Sequence, residues 1–271
     1  MGNNNQSLPS DFGPGFLYAK LKSASLRPAW DIIQLLEIKK GERIVIFPGR
    51  NGDLALKLLE FLVEGEITIV EPNKELFILA KEKFSSFDFN QSNSFLFINK
   101  ELSFMTSCGQ YDVFISHFAL PIDVGYENLA RTIKSNLRPG GRFGLQLPVK
   151  EFCPILEKPF FEAIKAIIPS KDLSLIPKPE EKSVLIKEFR KAGFRELNTF
   201  EKTYIQNFDT VFGAIDFMFE YGGWGDLEDI TLNENLRNKI VQEGGRHLAS
   251  ELKREKDIEV SFRRLIITGK R

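Results

Sequence analysis

Cysteine, tryptophan and histidine are scarce, with two of each in 271 residues. Two cysteines, Cys108 and Cys153, cannot build a disulfide framework, and neither lies in a metal-ligand pattern. No metal site is therefore expected, and a reducing cytoplasm is the expected compartment. An excess of one charge is also missing, because 37 Lys and Arg balance 37 Asp and Glu. Without a net basic field, a general nucleic-acid binder is disfavoured. No apolar run approaches the roughly 18 residues that a spanning helix needs. The opening MGNNNQSLPSDFGPGF has no basic stretch followed by an apolar one, and Gln6 stands where a myristoylation start needs Ser or Thr. Neither a membrane span nor a signal peptide is expected. What the chain has in excess is phenylalanine, 25 residues against 5 Tyr. Either composition is biased, since Lys, Ile and Asn are also frequent, or the protein lines an extra pocket with aromatic rings.

The body of the chain alternates between two periodicities. Short apolar runs at 43–47, 66–70, 94–98, 111–116 and 142–147 read as buried strands. Helical patterns at 28–37, 53–63, 73–84 and 125–137 separate most of them, with Asn73 at an N-cap position. A shorter helix is expected over 17–26, and a turn at Pro139-Gly140-Gly141. Repeated strand–helix–strand units imply a parallel sheet. Past residue 148 the pattern loosens. Helices are expected over 151–168 with breaks at Pro154 and Pro159, over 179–192 with Gly193 as its C′ glycine, over 208–219, and over 233–256. Strands are expected at 194–203 and 260–268. The expected organisation is a flexible tail and short helix over 1–25, then one domain over 26–271, in which 150–256 supplies cap helices and the last strands.

Chemistry concentrates between Gly41 and Glu71. A strand, the loop Pro48-Gly49-Arg50-Asn51-Gly52, a helix, a second strand and a terminal acid make a nucleotide-binding half-unit. The loop lets backbone approach a ligand, and a carboxylate at Glu71 can accept both hydroxyls of a ribose. A nicotinamide cofactor would also suit this layout, although the loop lacks a full G-x-G-x-x-G.

The order GERIVIFPGRNGDLALKL, ITIVEPNKELFILAKEKF, YDVFISHFAL and LRPGGRFGLQL resembles the class I S-adenosylmethionine-dependent methyltransferases. The resemblance covers about residues 26–150 and continues through KAGFRELNTF to the closing RRLIITGKR, which looks like the small-molecule and acyl-carrier carboxylate members. It implies an α/β, Rossmann-like seven-stranded sheet with helical cap insertions and an antiparallel last strand. It also implies a methyltransferase with S-adenosylmethionine as cofactor and a small apolar or carboxylate-bearing molecule as substrate. By position, Phe47, Pro48, Gly49, Arg50, Gly52, Glu71, Pro72, Asn99 and Ser116 would line the cofactor. Glu71 matches the ribose-binding acid, and Asn99 the residue near the adenine amine.

The first motif departs from the family pattern. Its acid position holds Ile46, and its three glycine positions hold Pro48, Arg50 and Gly52. Either Arg50 turns outward or meets the methionine carboxylate and the cofactor still binds, or the site is remodelled in a non-catalytic binding protein. His117 follows the fourth strand and could act as a base, having a suitable unperturbed pKa; a structural role is the alternative. Phe208, Phe212 and Trp224, in the helical region after residue 148, are candidates for an acceptor pocket, against the plainer reading of a helical aromatic stripe as core. Arg246, Arg263 and Arg264 could meet an acidic substrate, and the sequence does not select among them.

Overall fold

The computed structural model describes residues 22–86, 92–102, 105, 110–117, 125–149, 151–173, 182–221, 227, 230 and 233–271, with only the backbone described at 22–28, 220 and 221. Seven strands form one sheet: β1 (Arg43–Ile46), β2 (Glu66–Val70), β3 (Ser94–Ile98), β4 (Tyr111–His117), β5 (Leu137–Pro148), β6 (Arg195–Thr210) and β7 (Lys256–Lys270). Their order is β3-β2-β1-β4-β5-β7-β6. The first five are parallel, with Ile44 opposite both Ile67 and Val113. β7 runs antiparallel to β5 on one side and β6 on the other, pairing Ile266 with Gln146 and with Phe200. This is the seven-stranded architecture expected from the sequence.

Helices cover both faces. Helices α1 (Lys22–Leu36), α2 (Asp53–Leu58) and α3 (Lys74–Ser85) lie on one side, where Ile32, Ile33, Leu54, Leu58 and Phe84 pack against Ile44, Ile46, Val113 and Ile115. On the other side, α4 (Tyr126–Asn136) and α6 (Lys182–Lys191) bury Leu129, Ile133, Leu185 and Phe189 against Val45, Phe114, Phe143 and Ile267. Helices α5 (Pro154–Ile167), α7 (Val211–Tyr221) and α8 (Glu234–Leu252) form a third core with the outer parts of β6 and β7. These buried side chains recur at helical spacing, so burial of one stripe per helix fixes the layers.

Local signals act as the sequence indicates at several ends. Asn73 caps α3, its Oδ1 accepting from the amides of Glu75 and Leu76, both at 3.0 Å. Gly193, at φ +86°, ends α6. Its N–H donates to Arg190 O at 2.8 Å, and the next amide, Phe194, donates to Phe189 O at 3.1 Å. The rings of Phe189 and Phe194 then meet at 5.4 Å, completing the apolar contact of a Schellman motif.

Other boundaries differ, each for a physical reason. Pro28 does not open a helix but lies within α1; of the short helix expected over 17–26, residues 17–21 fall outside the described residues. Pro159 does not break α5, and Pro154 begins it at a position that needs no donor. Helix α2 stops at Leu58, short of residue 63, and the chain turns through Glu64 at φ +54°. Pro139-Gly140-Gly141 belongs to β5, where the register against β4 shifts between Tyr111 and Val113. β6 and β7 each extend well beyond the expected runs, because two antiparallel neighbours satisfy one another along polar stretches that carry no apolar signal. Phe208 consequently lies on β6, not on a helix, and α7 starts at Val211.

Candidate functional site

β1 occupies the middle of the sheet, with β2 on one side and β4 on the other, so the connections leaving β1 and β4 depart in opposite directions. Such a switch point opens a crevice at the carboxyl ends of the strands. The 48–52 loop, Glu71, Asn99 and His117 all stand at that edge.

The loop is held by its own chain. Gly49 N–H donates to Val70 O at 2.7 Å, and Gly52 N–H to Gly49 O at 3.0 Å. A Cβ on Gly49 would lie 2.3 Å from Ile69 Cγ2, so only glycine lets the loop close onto β2. Gly52 has φ +82° and faces the Phe84 ring and Ala80 of α3. Arg50 adopts φ +51°, the left-handed conformation that glycine would take without strain. At Arg50 the departure from the expected motif is thus chemical rather than conformational.

Glu71 locks this arrangement. It is 2% exposed. Its Oε2 accepts from Arg50 N–H at 2.6 Å, and its Oε1 from Asn73 N–H at 2.9 Å. Asn99 closes the far side, with Nδ2 donating to Glu71 O at 2.7 Å and Pro72 O at 2.8 Å. At the entry to α2, Lys83 pairs with Asp53 at 2.6 Å, and Asn51 Nδ2 donates to the same carboxylate at 3.0 Å.

A second polar group gathers where β4, β5, β7 and β6 lie side by side. His117 pairs in register with Gln146. Gln146 Nε2 donates to the Tyr204 hydroxyl at 3.2 Å, and that hydroxyl donates to Asp31 Oδ2 at 2.5 Å. Lys202 holds the other Asp31 oxygen at 2.7 Å. Burial, then the Asp31 carboxylate, pushes the Tyr204 phenol well above its ordinary pKa, so it stays a donor. Arg264, fully buried, sits over the Phe152 ring with its guanidinium carbon 4.1 Å from the centroid. Burial holds the His117 imidazole well below its ordinary pKa, and the charges of Arg264 and Arg50 add to that. His117 is therefore neutral at physiological pH and a weak proton acceptor, unlike the imidazole whose ordinary pKa made it a candidate base.

The remaining candidates occupy varied positions. Phe47 is a core residue whose N–H donates to Ile115 O at 2.9 Å. Pro48 is buried and Pro72 half-buried beside Glu71. Ser116 is fully buried on β4, and strand alternation puts it on the opposite face from His117. Phe208 is buried, with its ring 5.2 Å from that of Phe217 in the cap core. Phe212 is half-buried against the backbone of Gly245. Trp224 and Cys108 lie outside the described residues. Gln146, Tyr204 and Asp31 were not singled out from sequence. Arg264 carried a usable signal, as a cation between Phe262 and Ile266 on the inward face of an apolar strand.

Among the described residues, no group of three or more His, Cys, Asp or Glu is arranged to hold a metal ion, and no helix is long and apolar enough to cross a membrane. No family sequence model and no curated protein matches the chain. Solved structures do match it. YcgJ from Bacillus subtilis superposes with TM-score 0.57 at 13% identity, over 91% of this chain and 98% of that one. The cyclopropane synthase MmaA2 from Mycobacterium tuberculosis gives 0.57 at 12% identity, over 93% and 85%. Phosphoethanolamine N-methyltransferase 2 from Haemonchus contortus, solved with S-adenosyl-L-methionine, gives 0.55 at 13% identity, over 94% of this chain and 56% of that one. The chain has the fold of the class I S-adenosylmethionine-dependent methyltransferases.

Proposed function

We propose that the protein binds S-adenosylmethionine and transfers its methyl group to a small-molecule acceptor. The observation that carries this is the Glu71 carboxylate, fixed at the carboxyl end of β2 against the loop that follows β1. Each of its oxygens accepts a backbone amide, so the carboxylate is held in place, where it would accept the paired hydroxyls of a ribose. Asn99 commits Nδ2 to two carbonyls, which makes Oδ1 its acceptor toward an exocyclic amine. Arg50 brings a cation close enough to act on His117, at the mouth between β1 and β4, where it suits the methionine carboxylate. The Haemonchus contortus methyltransferase, solved with S-adenosyl-L-methionine, shares the fold and supports the same cofactor here.

When bound, the cofactor supplies a methyl group already activated by its sulfonium. The chain's own contribution is positioning and exclusion of water. Glu71, Arg50 and Asn99 would fix the cofactor, and the carboxyl ends of β4 and β5, with His117 and Gln146, would line the acceptor side. Cytoplasmic residence fits the two cysteines. Calorimetric titration with S-adenosylhomocysteine tests the reading: one-site binding that Glu71→Ala abolishes supports it, and absence of heat at millimolar ligand overturns it.

A further inference from the structure

Which half of the cofactor the crevice grips follows from where its backbone amides go; this step rests on the methyl-transfer reading. Pro48 has no N–H to give. Of the five amides from Gly49 to Asp53, four are committed within the chain. Gly49 donates to Val70 O at 2.7 Å, Arg50 to Glu71 Oε2 at 2.6 Å, Gly52 to Gly49 O at 3.0 Å and Asp53 to Asn51 Oδ1 at 3.3 Å. The glycines are spent on packing as well, Gly49 against Ile69 and Gly52 against Phe84. Pro48, Gly49, Asn51 and Gly52 are all buried. The loop is therefore no open cradle of donors for a carboxylate. The first turn of α2 already carries a carboxylate of its own, Asp53, which Lys83 holds at 2.6 Å. Ile46, in the place of the expected acid, is fully buried and gives the ammonium of an amino acid no partner. Arg50 offers the carboxylate one half-buried cation, and an ion pair open to water adds less than about tenfold in affinity.

The nucleoside side is built differently. The Glu71 carboxylate is pinned by two amides, at 2.6 and 2.9 Å. Asn99 is pinned by two carbonyls, at 2.7 and 2.8 Å. Groups already fixed in their binding orientation lose little freedom when a ligand arrives, so their contacts count nearly in full. We infer that the crevice recognises the nucleoside rather than the amino acid. Its ligand class is the 5′-thioadenosines, with or without the aminocarboxypropyl chain. A nucleoside that lacks this chain is thus a second ligand of the same site and competes with the cofactor for it.

The test titrates three probes calorimetrically into the full chain: S-adenosylhomocysteine, 5′-methylthioadenosine and L-methionine. Methylthioadenosine keeps the adenosine and the sulfur and lacks the amino acid. It should bind one site within about tenfold of S-adenosylhomocysteine, and saturation with S-adenosylhomocysteine should abolish its heat. L-methionine should give no binding at millimolar concentration. Arg50→Ala, which keeps the backbone amide that Glu71 holds, should weaken S-adenosylhomocysteine by less than about tenfold and leave methylthioadenosine unchanged. An advantage of S-adenosylhomocysteine of a hundredfold or more overturns the inference. So does binding of L-methionine, or methylthioadenosine heat that survives saturation with S-adenosylhomocysteine. The comparison on the unaltered protein needs no variant to fold. Methylthioadenosine binding without any S-adenosylhomocysteine binding would leave nucleoside recognition standing and overturn the methyl-transfer reading alone.

Discussion

The carboxylate of Glu71 binds the backbone amide of Arg50 at 2.6 Å, across 21 positions of sequence. The acid expected to hold a ligand thus also holds the loop beside that ligand. Site and scaffold share one side chain, and removal of Glu71 should affect both.

Glu71→Ala leaves the Arg50 and Asn73 amides without their acceptor in a buried place. Each such loss costs about 1–3 kcal/mol, and more where the partner was charged. Urea denaturation should show a destabilisation of about 2–4 kcal/mol, alongside loss of S-adenosylhomocysteine binding. Glu71→Gln should fall between, since its amide group cannot accept from both donors. Full stability in Glu71→Ala would mean that the loop does not depend on this contact.

Gly49→Ala places a methyl 2.3 Å from Ile69 Cγ2, on a backbone already bonded to Val70. Overpacking of this kind costs about 1–3 kcal/mol. Ile69→Ala removes the offending methyl, so the double variant should be more stable than the sum of the two losses implies. A double-mutant cycle by denaturation measures that coupling, and strict additivity would contradict the contact.

His117 gives stability a specific pH dependence. Its folded pKa lies well below the ordinary value of about 6.5, so below that pH the unfolded chain takes a proton that the folded chain refuses. The contribution is complete above about pH 6.5 and is lost as pH falls toward the folded pKa, at up to about 1.4 kcal/mol per pH unit. Urea midpoints between pH 7 and pH 5 should fall less steeply in His117→Gln than in the unaltered protein. Identical slopes would show that His117 protonates alike in both states.

Cys153 is fully buried, and burial pushes its thiol up to about 12. In a Cys108→Ser background, the thiol should resist a disulfide reagent at pH 8 and react when urea unfolds the chain. Rapid reaction in the native protein would place Cys153 in contact with solvent.

Much of this was legible in the sequence, for identifiable reasons. The parallel strands carry apolar runs bounded by turn residues, and β1 to β4 fall close to their expected limits. Asn73 and Gly193 mark helix ends through backbone hydrogen bonds that depend on local sequence alone. Glu71 and the 48–52 loop come together because a strand–loop–helix–strand unit admits few geometries. What could not be read depends on distant partners. β6 runs to Thr210 because β7 pairs with it, although YIQN, past the expected strand end, is polar enough to pass for a connection. The chain from Asp31 through Tyr204 to Gln146 joins α1, β6 and β5, which are far apart in sequence. Only Arg264 had a local signal there, its alternation with Phe262 and Ile266, and the pairing of β7 puts it inward. Part of the phenylalanine excess is also resolved. Phe152, Phe160, Phe208 and Phe217 belong with Phe262 to one buried cluster, in which the rings of Phe152, Phe208, Phe217 and Phe262 pack on one another.

The most direct test of the central claim is isothermal titration of S-adenosylhomocysteine into the unaltered protein and into Glu71→Ala. The expected result is saturable one-to-one binding to the former and none to the latter, with the variant shown to be folded at the temperature used. Absence of binding to the unaltered protein at millimolar ligand, or equal binding to both, would contradict it.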